Sequence, residues 1–215
     1  MRVLKGVGAL MMSTALMSCA TSQAIESVAT GDVALGRTKA VELKEGMRRL
    51  WTDHVVWTRG YIVAAVANDP SASAQSARLL RNQEDIGNAI KPFYGEDAGN
   101  KLTALLKDHI LIAVDLVTAA KAGDNTKVAD ADRRWHDNAR DIATFLSGAN
   151  PNWSRDALLM MLNEHLTLTT EEAKARIEKR WTDDVNTFDK ILSQAIHMAD
   201  ELAAGIVKQF PSKVS

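Results

Sequence analysis

The chain has 215 residues, of which 46% are hydrophobic and 25% are charged, with 26 basic and 27 acidic side chains. A formal net charge of −1 provides no basic surplus to attract phosphate backbones, which argues against a nucleic-acid partner. With a single cysteine, the chain can form no internal disulfide, and it cannot build a zinc or iron–sulfur site from cysteines.

The first element in chain order is a short hydrophobic segment. Arg2 and Lys5 precede an apolar-rich stretch over 7–17, and the only cysteine, Cys19, closes the run Leu16–Cys19. Roughly 11 apolar-rich residues are too few for a membrane-spanning helix, which needs ~20. A basic start, an apolar core and a small residue before the cleavage point are typical of an export signal. The alternative is a buried N-terminal helix with an incidental cysteine.

This arrangement resembles the lipobox of bacterial lipoproteins. The resemblance implies that residues 1–18 are a signal peptide, that cleavage leaves Cys19 at the N-terminus, and that the Cys19 sulfur carries a lipid anchoring the protein to a membrane of the cell envelope. Ala20, where an Asp could stand, implies the outer membrane if the source is Gram-negative. Residues 19–37, which are rich in Ala, Thr, Ser and Gly, are predicted to be a flexible tether.

Residues 38–210 are predicted to form an all-α domain, an up-and-down bundle of antiparallel helices. Apolar residues recur at a spacing near 3.6, and strand signals are nearly absent. Prolines and glycines mark the helix ends, and Thr169 with Glu172 forms a capping-box pattern that predicts the start of the last helix. The predicted helices span 38–68, 73–90, 97–122, 126–146, 154–168 and 169–209.

An internal repeat of about 55 residues is visible within this domain. His109 follows His54 by 55 positions and His165 follows His109 by 56, each with an acidic residue before it. The pair Asn82 and Asp85 recurs 56 positions later as Asn138 and Asp141. A fixed period of this length indicates stacked supersecondary units, here helical hairpins. The third copy diverges after His165, which predicts that the closing helix acts as a cap.

The repeated histidines and asparagines are the candidate site residues. His54, His109, His165, Asn82 and Asn138 all fall on apolar faces of their helices, so we expect them to be buried. A buried imidazole or amide without a partner costs about 1 to 3 kcal/mol. The simplest partners for these groups are one another.

Three interpretations of this polar layer stay open. The first is a hydrogen-bonded layer of neutral side chains that fixes helix register. The second is a site for one divalent transition metal such as Zn, Cu or Fe, held by the three histidines and completed by water, Asp85 or Asp141. It requires imidazoles within ~8 Å of one another, since metal–nitrogen bonds measure about 2.0 to 2.1 Å. The third is a pocket for a small molecule.

Evidence for catalysis in the sequence is weak. The chain lacks Glu-x-x-His pairs, nucleotide-binding glycine motifs and a visible nucleophile constellation. A metal-dependent enzyme would need a general base, for which Asp85 and Asp141 are the candidates. We expect His136 and His197 to lie on the surface, and the five tryptophans to serve in core packing more than in a ligand cleft. The favoured function is therefore non-catalytic binding in a lipid-anchored envelope protein, and the alternative is an interaction or scaffold lipoprotein with a protein partner.

Overall fold

The computed structural model describes residues 38–215, so the predicted signal peptide, the tether and Cys19 lie outside the described residues. The described part is all-α, as predicted, and contains no strand. No helix within it is long and apolar enough to cross a membrane. Its helices are α1 (Lys39–Ala67), α2 (Ala72–Tyr94), α3 (Glu96–Ala122), α4 (Asn125–Ala149), α5 (Arg155–Ile177) and α6 (Trp181–Gln209), followed by a 3-10 turn at Pro211–Lys213.

The six helices form a closed up-and-down bundle. Each helix packs against the next one along the chain, and α6 returns to pack against α1. The odd-numbered helices α1, α3 and α5 also contact one another across the interior. Side chains on the inner faces of these three helices therefore meet in the centre of the bundle, although they are far apart in the sequence.

Local chemistry accounts for most helix ends. The side chains of Thr38, Asp124 and Ser154 accept hydrogen bonds from backbone N–H groups in the first turns of α1, α4 and α5. Such N-caps contribute about 0.5 to 2 kcal/mol each. Asn68 and Gly123 end α1 and α3 in the left-handed conformation, within one residue of the predicted helix ends.

The predicted end of α2 at residue 90 is wrong. The helix continues through Pro92 to Tyr94. Proline removes one backbone hydrogen bond, but here it stands in the last turn, where little helix follows. Phe93 and Tyr94 pack their rings against Phe210, with ring centroids 5.8 and 5.2 Å apart, so tertiary contacts hold this turn helical.

The predicted helix start at Thr169 is also wrong. The Thr169 hydroxyl donates to the carbonyl of His165 inside a continuous α5, and Glu172 is buried in a contact with another helix. The break comes later, where Lys179 adopts a positive φ of 59° between α5 and α6. No glycine or proline marks this turn, which is why the sequence pattern missed it.

Buried positions recur at the spacing of the predicted repeat. Three sets of equivalent residues illustrate this, and all of their members are buried: Met47, Leu102 and Leu158; Val55, Ile110 and Leu166; and Ile86, Ile142 and Met198. The members of each triplet stand 55 or 56 positions apart. The duplication itself stays a prediction, but the spacing brings equivalent helix faces into one core.

Candidate functional site: a buried histidine layer

The three repeated histidines meet in the centre of the bundle. His54 on α1, His109 on α3 and His165 on α5 are 2%, 3% and 2% exposed. Their ring centroids are 5.5 Å apart for His54 and His165, 6.3 Å for His109 and His165, and 6.5 Å for His54 and His109. Their predicted burial and convergence are confirmed. We call these three side chains the histidine layer.

An amide side chain from the following helix supports each histidine helix. Every one of these amides donates to the backbone carbonyl four residues before the histidine, over 2.9 to 3.0 Å. The three contacts are Asn82 to Leu50, Asn138 to Leu105 and Gln194 to Met161. The predicted burial of Asn82 and Asn138 is confirmed. Sequence reasoning missed Gln194, which stands 56 positions after Asn138 and replaces Asn by Gln.

The contact between Asn138 and His109 fixes the protonation of that imidazole. Asn138 Nδ2 already donates to the Leu105 carbonyl, so Asn138 Oδ1, which lies 2.9 Å from His109 Nδ1, must accept. His109 therefore carries its proton on Nδ1. Its Nε2 is left with a lone pair and no proton.

The other two histidines are placed in a similar way but without a formed hydrogen bond. Gln83 lies beside His54 and Gln194 beside His165. Burial lowers the pKa of each histidine, and the neighbouring amide acts in the opposite direction. Gln83 Nε2 donates to the Leu79 carbonyl, and Gln194 Nε2 donates to a backbone carbonyl as well. Both amides thus keep their oxygens free for a histidine, while the Nδ1 atoms of His54 and His165 are buried without a partner.

Burial keeps all three imidazoles neutral at physiological pH. It lowers the pKa of His109 to about 3 and that of His165 to about 4. For His54, burial and then the neighbouring histidines lower the pKa well below the usual value. Neutral imidazole is the form that binds metal ions.

A small cavity adjoins the histidine layer. Its volume is about 20 Å³, and its lining includes the three imidazoles, Thr58 and Thr169 together with apolar side chains. A water molecule needs about 10 to 15 Å³ of such space. The cavity therefore has room for one water or one ion, and it is too small for the organic molecule of the third interpretation.

The carboxylates predicted as further ligands do not join this layer. Asp85 is half exposed and lies 3.7 Å from Arg78, and Asp141 is exposed on α4. Both occupy outward-facing positions of their helices, which turns them away from the core. Within residues 38–215, the structure arranges no group of three or more His, Cys, Asp or Glu side chains so that they could hold a metal ion. His136 and His197 lie at the surface, as predicted.

Two tryptophans contact the histidine layer. The Trp51 ring lies 5.4 Å from the His54 ring, and the Trp135 ring lies 5.1 Å from the His109 ring. Both are buried, and neither indole N–H has a hydrogen-bond partner in the described part of the chain. The prediction of core packing holds for these two and for Trp153, but Trp181 is 52% exposed.

A second set of polar side chains, which form ion pairs, lies further along α5 and on the helices beside it. Arg59 on α1 pairs with Glu172 and, at 2.7 Å, with Asp184, which Arg176 also contacts at 3.2 Å. Glu172 and Asp184 are each 1% exposed. Burial raises the pKa of Glu172 to about 7, against the opposing effect of Arg59. We call these four side chains the ion-pair cluster. Sequence reasoning missed it, because it joins helices α1, α5 and α6.

Comparison with known proteins adds no family to this description. The chain matches no protein-family model, and neither curated proteins nor solved structures show significant similarity to it.

Proposed function

We propose that this chain is a lipid-anchored cell-envelope protein whose helical bundle binds one divalent transition metal ion, Zn, Cu or Fe, between His54, His109 and His165, without turnover. The observation that carries the proposal is the set of three neutral, buried imidazoles around a cavity of single-ion size. Imidazole nitrogen is a favourable ligand for each of these metals, and bundle cores commonly hold such sites.

The number of protons that a water molecule can donate favours a cation over water in the cavity. If His54 and His165 hold their proton on Nδ1, as His109 does, each of the three rings has an unprotonated Nε2 with a lone pair, and all three rings line the cavity. A water molecule can donate to only two of them, whereas a metal ion accepts all three. An arrangement of three acceptors around one small space is therefore most stable with a cation inside.

The spacing of the rings is close to what one ion requires. Three imidazoles on a tetrahedral ion with bonds of about 2.0 to 2.1 Å have ring centroids roughly 5 Å apart. The His54–His165 distance of 5.5 Å nearly meets this value, and both distances to His109, 6.3 and 6.5 Å, are longer. His109 would have to move inward for the three rings to approach this spacing.

The second candidate function is an interaction or scaffold lipoprotein whose polar layer is purely structural. The three amide-to-carbonyl hydrogen bonds favour it, because they tie adjacent helices together without any ion. A metal-dependent enzyme is less well supported, since Asp85 and Asp141 are too exposed to serve as a base beside the layer.

Elemental analysis separates the first two candidates. We expect purified protein exposed in turn to Zn²⁺, Cu²⁺ and Fe²⁺ and then desalted to retain one ion per chain. The variant His109→Ala should retain none, because two imidazoles are left for an ion that needs three. The exposed His197→Ala is the matched control and should behave as the wild type. A wild-type protein that retains no ion would favour the structural layer.

The anchor is tested independently of the metal. The lipobox-like run Leu16–Cys19 supports lipid attachment at Cys19 and an envelope location, in the outer membrane if the cell is Gram-negative. We expect radiolabelled palmitate to be incorporated by the wild type and not by Cys19→Ser, and the variant to be absent from the lipid-anchored membrane fraction. Equal labelling of both chains would contradict the proposal.

A further inference from the structure

Methionine side chains in the described part of the chain divide into three buried ones and one exposed one. Met47 and Met198 are each 2% exposed, and Met161 is 9% exposed. Met160 is 67% exposed, which is the largest value among the exposed large hydrophobic side chains of residues 38–215. Within these residues, the thioether of Met160 is therefore the one that water and small solutes reach freely.

Met160 and its chain neighbour Met161 lie on different faces of α5. Met161 belongs to the hydrophobic core, and its backbone carbonyl accepts the hydrogen bond from Gln194. Met160 lies on the outer face of the helix, with the exposed residues Asp156 and Glu164 one turn before and one turn after it. The two methionines thus form a matched pair, with the same chemistry and the same local sequence but opposite surroundings.

Hydrogen peroxide oxidises a thioether by direct transfer of one oxygen atom. The sulfur lone pair attacks a peroxide oxygen, an S–O bond forms, and the O–O bond breaks. The second oxygen leaves with the bonding electrons and takes up a proton, so the peroxide is reduced to water while the sulfur loses two electrons and becomes a sulfoxide. Because negative charge develops on the leaving oxygen, surrounding water favours the reaction and burial disfavours it.

We propose that Met160 is a reversible oxidation site, which hydrogen peroxide converts to methionine sulfoxide while Met47, Met161 and Met198 stay reduced. A sulfoxide is polar, so at the exposed position of Met160 it remains in water and leaves the core unchanged. The same product at Met161 would place an unpaired polar group in the core. The exposed sulfoxide is also accessible to a methionine sulfoxide reductase, which returns it to methionine with electrons from a thiol.

The experiment treats the folded full-length chain with hydrogen peroxide, together with a chelator that keeps trace metal ions from generating radicals. Samples taken over time are digested with trypsin, which cuts after Arg155 and Lys174 and leaves Met160 and Met161 in one peptide. Fragmentation of this peptide in a mass spectrometer assigns the added oxygen to one of the two residues. We expect oxidation of Met160 to be at least roughly tenfold faster than that of Met161.

The unfolded chain is the control for this difference. In concentrated urea, Met47, Met160, Met161 and Met198 should all react at similar rates, because only the folded structure distinguishes them. Equal rates for Met160 and Met161 in the folded protein would overturn the proposal. A preference for Met160 that persists in urea would overturn it as well, since the cause would then lie in the local sequence and not in burial.

Two further measurements test the consequences of the reaction. Protein oxidised only at Met160 should have the same free energy of unfolding in urea as untreated protein, and a clear loss would contradict the exposed position of the sulfoxide. Incubation of the folded, oxidised protein with a methionine sulfoxide reductase and dithiothreitol should remove the added oxygen. A sulfoxide that persists in the folded protein but is reduced in the unfolded chain would contradict reversibility.

Discussion

The histidine layer and the ion-pair cluster are both buried in the same bundle, yet one is neutral and the other is charged. They lie close together along α5, since Glu172 follows His165 by only seven positions. Burial disfavours charge in both regions, lowering the pKa of the histidines and raising that of Glu172. The difference lies in the partners, because only the cluster contains guanidinium groups. Arg59 thus opposes the effect of burial on the pKa of Glu172, whereas no acidic group opposes it in the histidine layer.

This contrast suggests different roles for the two regions. The ion-pair cluster satisfies its own charges, since two arginines face two carboxylates. The histidine layer leaves the Nδ1 atoms of His54 and His165 buried without partners. The cluster thus pairs its own groups, whereas the histidine layer keeps buried polar atoms unpaired, which is the property on which the proposed binding function rests.

The strongest test of the contrast removes the central cation of the cluster. Arg59→Ala leaves Glu172 and Asp184 buried with only Arg176 beside them, so we expect the free energy of unfolding to fall by about 3 to 5 kcal/mol. Urea denaturation at pH 7 measures this loss. The control is Arg48→Ala, which removes an equally direct pair with Asp200 at an exposed site and should cost far less. An equal loss of unfolding free energy in the two variants would mean that burial of the cluster does not affect its contribution to stability.

A pH series sharpens the contrast, because the two regions should respond to pH in opposite directions. The pKa of Glu172 is raised from 4.5 to about 7, so between these values only the folded state binds the proton. This contribution to stability is complete below pH 4.5 and is lost as the pH rises through 7, by roughly 3 kcal/mol in total. For the histidines, whose pKa values are lowered from 6.5, stability is present above pH 6.5 and is lost on acidification.

Glu172→Gln should therefore change the pH dependence and not only the stability. Between pH 4.5 and 6.5, the contribution of Glu172 to the free energy of unfolding falls as the pH rises, whereas the contribution of the histidines increases. The variant lacks the first contribution and keeps the second. We expect its free energy of unfolding, measured by urea denaturation at several pH values, to increase more steeply with pH than that of the wild type. Parallel curves would show that Glu172 is ionised in the folded protein throughout this range.

The smallest expected effect concerns the neutral layer. Asn138→Leu removes the partner of His109 Nδ1 and of the Leu105 carbonyl, so the free energy of unfolding should fall by about 1 to 3 kcal/mol. The same change at the exposed position Asn88 on α2 is the control and should have little effect. If Asn138→Leu were as stable as the control, the layer would not depend on its hydrogen bonds.

Much of the fold could be predicted because helices depend on local patterns. The apolar spacing identified every helix, and Asn68 and Gly123 ended α1 and α3 close to the predicted positions. The two errors came from tertiary contacts. Ring packing at Phe210 carries α2 past Pro92, and the buried contact of Glu172 with Arg59 keeps α5 helical through a sequence that resembles a helix start.

The candidate site was only partly predictable for a related reason. His54, His109 and His165 stood out because an identical residue recurs at a fixed spacing on an apolar face. Gln194 occupies the corresponding position of the third hairpin. A search for identical repeated residues does not find it, because the other two hairpins have Asn there. Allowing Gln for Asn at the 56-residue spacing would have found it.

By itself, the sequence determined an all-α chain, the faces of its helices and the burial of three histidines, because helical periodicity and hydrophobic burial act over a few turns. The tertiary structure alone decided which groups face one another. It placed Asp85 and Asp141 outside, brought Trp135 to the histidine cavity, and assembled Arg59, Glu172, Asp184 and Arg176 into one cluster. These contacts join side chains from different helices, and closure of the bundle, with α6 against α1, creates them.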